Sequence, residues 1–167
     1  MESDVTSAAG WDVLMPVHLL RLPVPLAATA REHFEGLVRE FFLIAAGAEH
    51  DDHVPVRLMH LVDKVTAQFG GLNTAADRRL DEAIDAHAEV IEDHVLEVPP
   101  AAGPAAQALG DMLDEADEYC RRGEHLLTLA TPPDCVAYRR WYLAQVIGQL
   151  QGEPPVAWQD SDAARAL

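Results

Sequence analysis

LLTLATPPDCVAYRRW, residues Leu126 to Trp141, passes from an extended run into a helix within a few residues, and the rest of the chain is punctuated in the same way. Leu126 to Leu129 reads as extended. Thr131 is placed to act as an N-cap, Pro132 fits the first helical position, and the Asp134 carboxylate falls where it meets first-turn amides and the helix dipole. The helix then runs to Gly152. Its start carries Tyr138, Arg139, Arg140, Trp141 and Tyr142, rings beside guanidiniums that pack a core, stack cation on ring, or anchor a partner. None of these residues supplies a reactive group.

Working outward, proline and glycine divide the chain into similar units. Val17 to Leu22 is a short strand stopped by Pro23. Pro25 opens a helix to about Ala48, striped by Leu26, Ala30, Phe34, Leu37, Phe41 and Ile44 at helical spacing. The second half of that helix, FFLIAAGA, is apolar on every side, which predicts a buried end. After the polar EHDDH at residues 49–53, Pro55 starts a second helix that ends at Gly70-Gly71. A third runs from Asn73 or Thr74 to about Asp93, with Ala76, Leu80, Ile84, His87 and Ile91 inward. Val95 to Val98 is a second strand closed by proline. Pro104 to Arg122 forms a fourth helix, with Ala105, Leu109, Met112, Ala116 and Tyr119 or Cys120 inward. On the fifth helix Val136, Arg140, Leu143, Ile147 and Leu150 track one face, so Arg140 requires an acidic partner among Asp114, Glu115 and Glu118.

The two strands pair with each other, because an isolated strand leaves its backbone groups unsatisfied. The expected fold is mainly α: a bundle of about five helices with two short paired strands. Residues 1–15 read as a flexible tail, 16–152 as a single helical domain, and 153–167 as a C-terminal tail in which Trp158 tucks back. Matching punctuation recurs at offsets of 76 residues (Pro23 and Pro99), 78 (Pro55 and Pro133) and 81 (Gly71 and Gly152). These are the marks of a degenerate β-α-α duplication, set against the fact that strand-helix-helix units often look alike.

Composition narrows the function. The chain has 167 residues, a formal charge of −16 and 49% hydrophobic residues. That suits one domain with a core. The charge repels nucleic acid and anionic membranes. No apolar run approaches the ~20 residues of a bilayer span, and the acidic N-terminus lacks a signal-peptide layout, so a cytoplasmic setting is expected. Cys120 and Cys135 sit in neither a CxxC nor a zinc spacing and read as buried thiols.

Two clusters compete as candidate sites. His50, Asp51 and His53 offer ligands to a divalent metal, and the His-Asp doublet resembles that of helical-bundle phosphohydrolases; here it sits in a polar loop without a convincing third partner. His33 in REHFEGLVREF loosely resembles a phosphorelay histidine, without the local motif. Asp77, Asp81, Asp85 and Glu89 recur every fourth residue, a like-charged row that costs a helix a few tenths of a kcal/mol per pair. The row is either a solvated face or an acidic docking surface. Arg139, Arg140 and Trp141 are either a clasp between the fourth and fifth helices or a binding patch. No cofactor is called for, and a homo-oligomer is compatible with the sequence.

LLRLP at 19–23, REHFEGLVREF at 31–41, VPVRL at 54–58, LDEADEYCRRGEHLLTLATPP at 113–133 and YRRWYLAQVIGQLQGEPPVAW at 138–158 together carry a likeness. The combination resembles a family of small, helical actinobacterial proteins encoded near partner-switching components: phosphatases, anti-sigma-type ATP-binding proteins and their antagonists. The resemblance brings no catalytic residues and implies a regulatory setting. The expectation is a non-enzymatic module that binds another protein with a basic contact surface. Its rival is a metal-dependent hydrolase using His50, Asp51 and His53.

Overall fold

The computed structural model describes residues 13–47, 54–123 and 130–167. The chain is mainly helical, with one two-stranded antiparallel sheet. In order come β1 (Met15–Pro23), α1 (Val24–Ala46), α2 (Val54–Phe69), α3 (Thr74–Asp85), β2 (Val90–Val98), α4 (Ala102–Arg121) and α5 (Pro133–Leu150). A 3₁₀ turn (Trp158–Asp160) and the short α6 (Asp162–Arg165) follow. No helix among the described residues is long and apolar enough to cross a membrane.

The helices close a ring: α1 packs on α2, α2 on α4, α4 on α5, and α5 back on α1. The order β-α-α therefore occurs twice, with α3 inserted before β2. One core lies between the ribbon, α1, α3 and α5; a second, built on Leu37, Phe41, Leu58, Leu113, Ala116 and Tyr119, fills the space between α1, α2 and α4. Each large apolar side chain so buried contributes about 1.5–3 kcal/mol.

The ribbon is longer than its apolar runs. Leu19 faces His94, Val17 faces Leu96 and Leu22 faces Ile91, and all six are buried. Strict alternation would turn Arg21 into the core with Val17 and Leu19. Instead Arg21 takes a φ of 51°, and its guanidinium reaches Glu92 (3.0 Å) and Gln159 (2.8 Å) outside. The left-handed residue lets both strands change phase together.

Three expectations are corrected. α3 stops at Asp85 and does not continue to Asp93. His87, at a φ of 54°, takes the position usually held by glycine, with Ala88 N–H bonding Ala83 C=O and His87 N–H bonding Ile84 C=O. This is a Schellman end. Residues 90–98 gain more by pairing with β1 than by extending an exposed helix, so His87 and Ile91 leave the inward stripe, and Glu89 leaves the helical row for a bend.

Second, α5 is turned from its expected face. Cys135, Tyr138, Trp141, Gln145 and Val146 are buried, while Arg140 is exposed. The helix meets α1, α4, β1 and α6, so several sides are covered and the aromatics decide which is deepest. On α4 the buried set is likewise Ala102, Ala106, Leu113, Ala116, Asp117, Tyr119 and Cys120, not Ala105 and Met112. Third, the C-terminal half of α1 is not buried all round: Phe41 is 1% exposed, but Phe42 and Leu43 are each 63% exposed.

The C-terminal segment returns to the body as expected for Trp158. Trp158 stands edge-on to Trp141 (centroids 5.6 Å apart) and against Tyr138. Trp141 Nε1 donates to Val156 C=O (2.9 Å), and Gln145 Oε1 accepts from Val156 N–H (2.8 Å). Gln149 completes the strap: its amide both accepts from His18 N–H (2.9 Å) and donates to His18 C=O (2.8 Å). A side chain thus satisfies the open edge of β1, a requirement of any ribbon that is to be stable.

Trp141 is 2% exposed, and its replacement by alanine is expected to cost about 3–5 kcal/mol out of a total near 5–15 kcal/mol. Urea denaturation of Trp141→Ala reads this directly; an unchanged midpoint contradicts the burial.

Candidate functional site

The polar side chains of the interior gather where α4, α5 and the strand-free residues 130–132 meet. Asp117, 5% exposed, accepts at Oδ1 from both the backbone N–H (3.3 Å) and the hydroxyl of Thr131. At Oδ2 it meets Arg139 Nη2 (2.9 Å), which also reaches Asp114. Thr131 spends its one hydroxyl proton on Asp117, so its oxygen accepts from His33 Nε2 on α1 (3.0 Å). One carboxylate thereby ties α1, α4 and α5, with every group hydrogen-bonded as burial demands.

This arrangement revises two assignments. The clasp between α4 and α5 exists, but Arg139 makes it, with a side chain 14% exposed; Arg140 is 64% exposed and reaches only Asp114, at 3.3 Å. Thr131 is not the N-cap of α5. Pro132 holds that position with no side-chain cap, while Asp134 Oδ1 accepts from the amide of Cys135 (2.8 Å). The pull of Asp117 on Thr131 outweighs capping, because a buried carboxylate needs its donors more than a helix end open to water does.

Above the ribbon, between α1, α3, α4 and α5, lies a cavity of about 460 Å³. Its walls are mostly apolar: Phe34 and Leu37 from α1, Leu80 from α3, Leu109 and Leu113 from α4, Leu143 from α5. Arg31, His33, Asp77, Thr131 and Arg139 meet it at the rim and sides, and His94 rises from β2. His94 is 4% exposed, and its Nδ1 has no hydrogen-bond partner among the described residues. Burial pushes its pKa below 6.5, aided by Arg79, against the opposing pull of Asp77 and Asp93.

The cavity has no activated nucleophile. Burial, then the Asp134 carboxylate, raises the Cys135 thiol, and burial, then Asp117, raises Cys120. Both are therefore thiols at neutral pH, far from a reactive thiolate. Burial also lifts Tyr142 to about 12, with help from Asp77, and lifts Tyr138 further.

The other sequence candidates disperse. His50, Asp51 and His53 lie outside the described residues, and no three His, Cys, Asp or Glu side chains among the described residues come together as metal ligands. Asp77, Asp81 and Asp85 are exposed on α3 and Glu89 is exposed beside it. Arg31 pairs with Asp81 at 2.7 Å. Sequence reasoning missed the Asp117 node and the cavity: Asp117 looks like any residue of an acidic helix, and a cavity has no local signal. No protein-family model, curated protein or solved structure matches the chain.

Removing Asp117 leaves Arg139 with less than it needs in a covered position. Asp117→Ala is expected to cost about 3–5 kcal/mol, whereas Arg140→Ala stays within about 0.5 kcal/mol; equal midpoints in denaturant contradict the assignment. A second expectation concerns pH. His94 is held neutral when folded, so the unfolded chain takes up its proton first as pH falls. Stability from this group is thus full above 6.5 and declines below it, down to the depressed folded value. Between about pH 7.5 and about pH 5.5 the native protein should lose more stability than His94→Leu, read as the difference between two series of melting curves. Parallel curves contradict it.

Proposed function

We propose that the protein is a non-enzymatic regulatory module that binds a second protein through the acidic outer face of α3. The observation that carries this reading is the exposure of Asp77, Asp81 and Asp85 along α3, with Glu89 exposed beside its end, and only partial neutralisation by Arg31 on Asp81 and a long pair from Arg78 to Glu82 (3.8 Å). A row of this kind raises the encounter rate with a basic surface and selects against acidic ones. Phe42 and Leu43 supply exposed apolar area elsewhere on the molecule, of the kind that partners cover. Arg140 is a further candidate contact, while Arg139 and Trp141 act beneath it by fixing α5. The likeness to proteins encoded beside partner-switching components supports a cytoplasmic signalling setting for this binding.

The test begins with affinity isolation from the native cell and identification of the partner by mass spectrometry. The purified pair is then measured at two salt concentrations. Asp85 and Glu89 have no fold-holding side-chain pair to lose, so Asp85→Asn with Glu89→Gln is expected to leave the melting temperature level while slowing association. Raising the salt should slow the native pair and have less effect on the double variant. Association indifferent to both changes reduces the row to a solvated face.

A further inference from the structure

We infer that the cavity over β2 is a binding site for an uncharged, largely apolar small molecule bearing one hydrogen-bonding group, which meets the His94 imidazole. This is independent of the docking surface on α3.

Three observations carry it. The space, about 460 Å³, lies in the range of small-molecule sites. The helices around it do not close although Phe34, Leu37, Leu109 and Leu113 are all apolar and free of any polar demand that would hold them apart. What holds them apart is the frame: Asp117, Thr131, His33 and Arg139 fix the distances between α1, α4 and α5.

His94 is the second observation. Other polar side chains of this interior are paired: Asp117 has Thr131 and Arg139, and Gln145 has Val156 and Gln149. The imidazole of His94 lines the cavity at 4% exposure and makes no hydrogen bond among the described residues. Its Nδ1 is sealed from the cavity, so a ligand meets the ring at the other nitrogen, Nε2, and supplies there a partner that the protein does not.

Charge selects the ligand class. Arg31 pairs with Asp81, and Arg139 with Asp114 and Asp117, so an anion entering the cavity meets guanidiniums already offset by carboxylates. Asp77, at the same cavity, repels one. Burial holds His94 and the phenols of Tyr138 and Tyr142 uncharged, so the walls present dipoles and hydrocarbon. An alcohol, phenol, ketone or aromatic amine on an apolar body fits; a carboxylate or an ammonium does not.

The probe is N-phenyl-1-naphthylamine, neutral, apolar and with one N–H, whose fluorescence rises in apolar surroundings. The intact protein should bind it saturably at one site. Ala30→Phe, which fills the cavity from α1, should weaken binding at least tenfold with an unchanged circular dichroism spectrum; Leu109→Phe fills it from α4 and serves if the first variant does not fold. Competition then reads the polar contact. 2-Naphthol should displace the probe at about one tenth of the concentration needed by 2-methylnaphthalene, and 2-naphthoate should be the weaker competitor of the three. In His94→Leu the naphthol advantage should vanish while probe binding persists. Absence of saturable binding overturns the inference, as does binding that Ala30→Phe and Leu109→Phe leave untouched, which places the probe on an exposed patch such as Phe42 and Leu43. A naphthol advantage that survives His94→Leu also overturns it, and assigns the polar contact to another lining group such as the Tyr138 or Tyr142 hydroxyl.

Discussion

The carboxylate of Asp117 is the constraint on which the rest of the fold depends. Buried on α4, it is stable only with donors at both oxygens, and it finds them in Thr131, just before α5, and Arg139, nearly two turns into it. Taking the donors away leaves a buried charge, so the position of α5 relative to α4 is fixed more sharply than apolar packing fixes it. Through Thr131 the same node reaches His33 and therefore α1. Apolar faces slide over one another at small cost; a doubly satisfied carboxylate does not.

The ribbon is held by the opposite end of α5. A two-stranded sheet has two open edges and little stability alone. Here β1 is closed by the amide of Gln149 and the ribbon's inner side is covered by apolar side chains. Val156, bonded to Trp141 and Gln145, and Trp158, edge-on to the same ring, make the C-terminal residues part of the body. With α5 fixed at both ends and α1 tied to its start, the helices stand over the ribbon at distances that their side chains do not fill. His94 occupies the floor of that space.

The surface obeys a different rule from the interior. Inside, each charge has a partner at short range, because low dielectric makes an unpaired charge prohibitive. Outside, water does the same work, and the pairs Arg31–Asp81, Arg57–Glu115 and Arg21–Glu92 contribute little to stability. The excess acid, −16 over the chain, therefore costs the fold little and remains available to set encounter rates and partner sign.

Much of the architecture was legible in the sequence because its signals are local. Proline after a short apolar run marks the ends of β1 and β2, proline at the start marks α1, α2 and α5, and the helical spacing of Leu37 and Phe41 marks a buried stripe. The pairing of the strands followed from the need of each for hydrogen bonds, and the return of Trp158 from its size. Other features were decided by tertiary structure, for reasons no local pattern contains. α3 ends at Asp85 because residues 90–98 have β1 to pair with. α5 turns Arg139 inward and Arg140 outward because it is covered on several sides, so its own pattern does not single out a face. Phe42 and Leu43 are exposed because the helices around α1 cover only one side of its last turns. The partnership of Asp117 with Thr131 and Arg139 joins residues on separate elements, and the cavity is likewise lined from four helices and the ribbon at once, so neither leaves a local pattern.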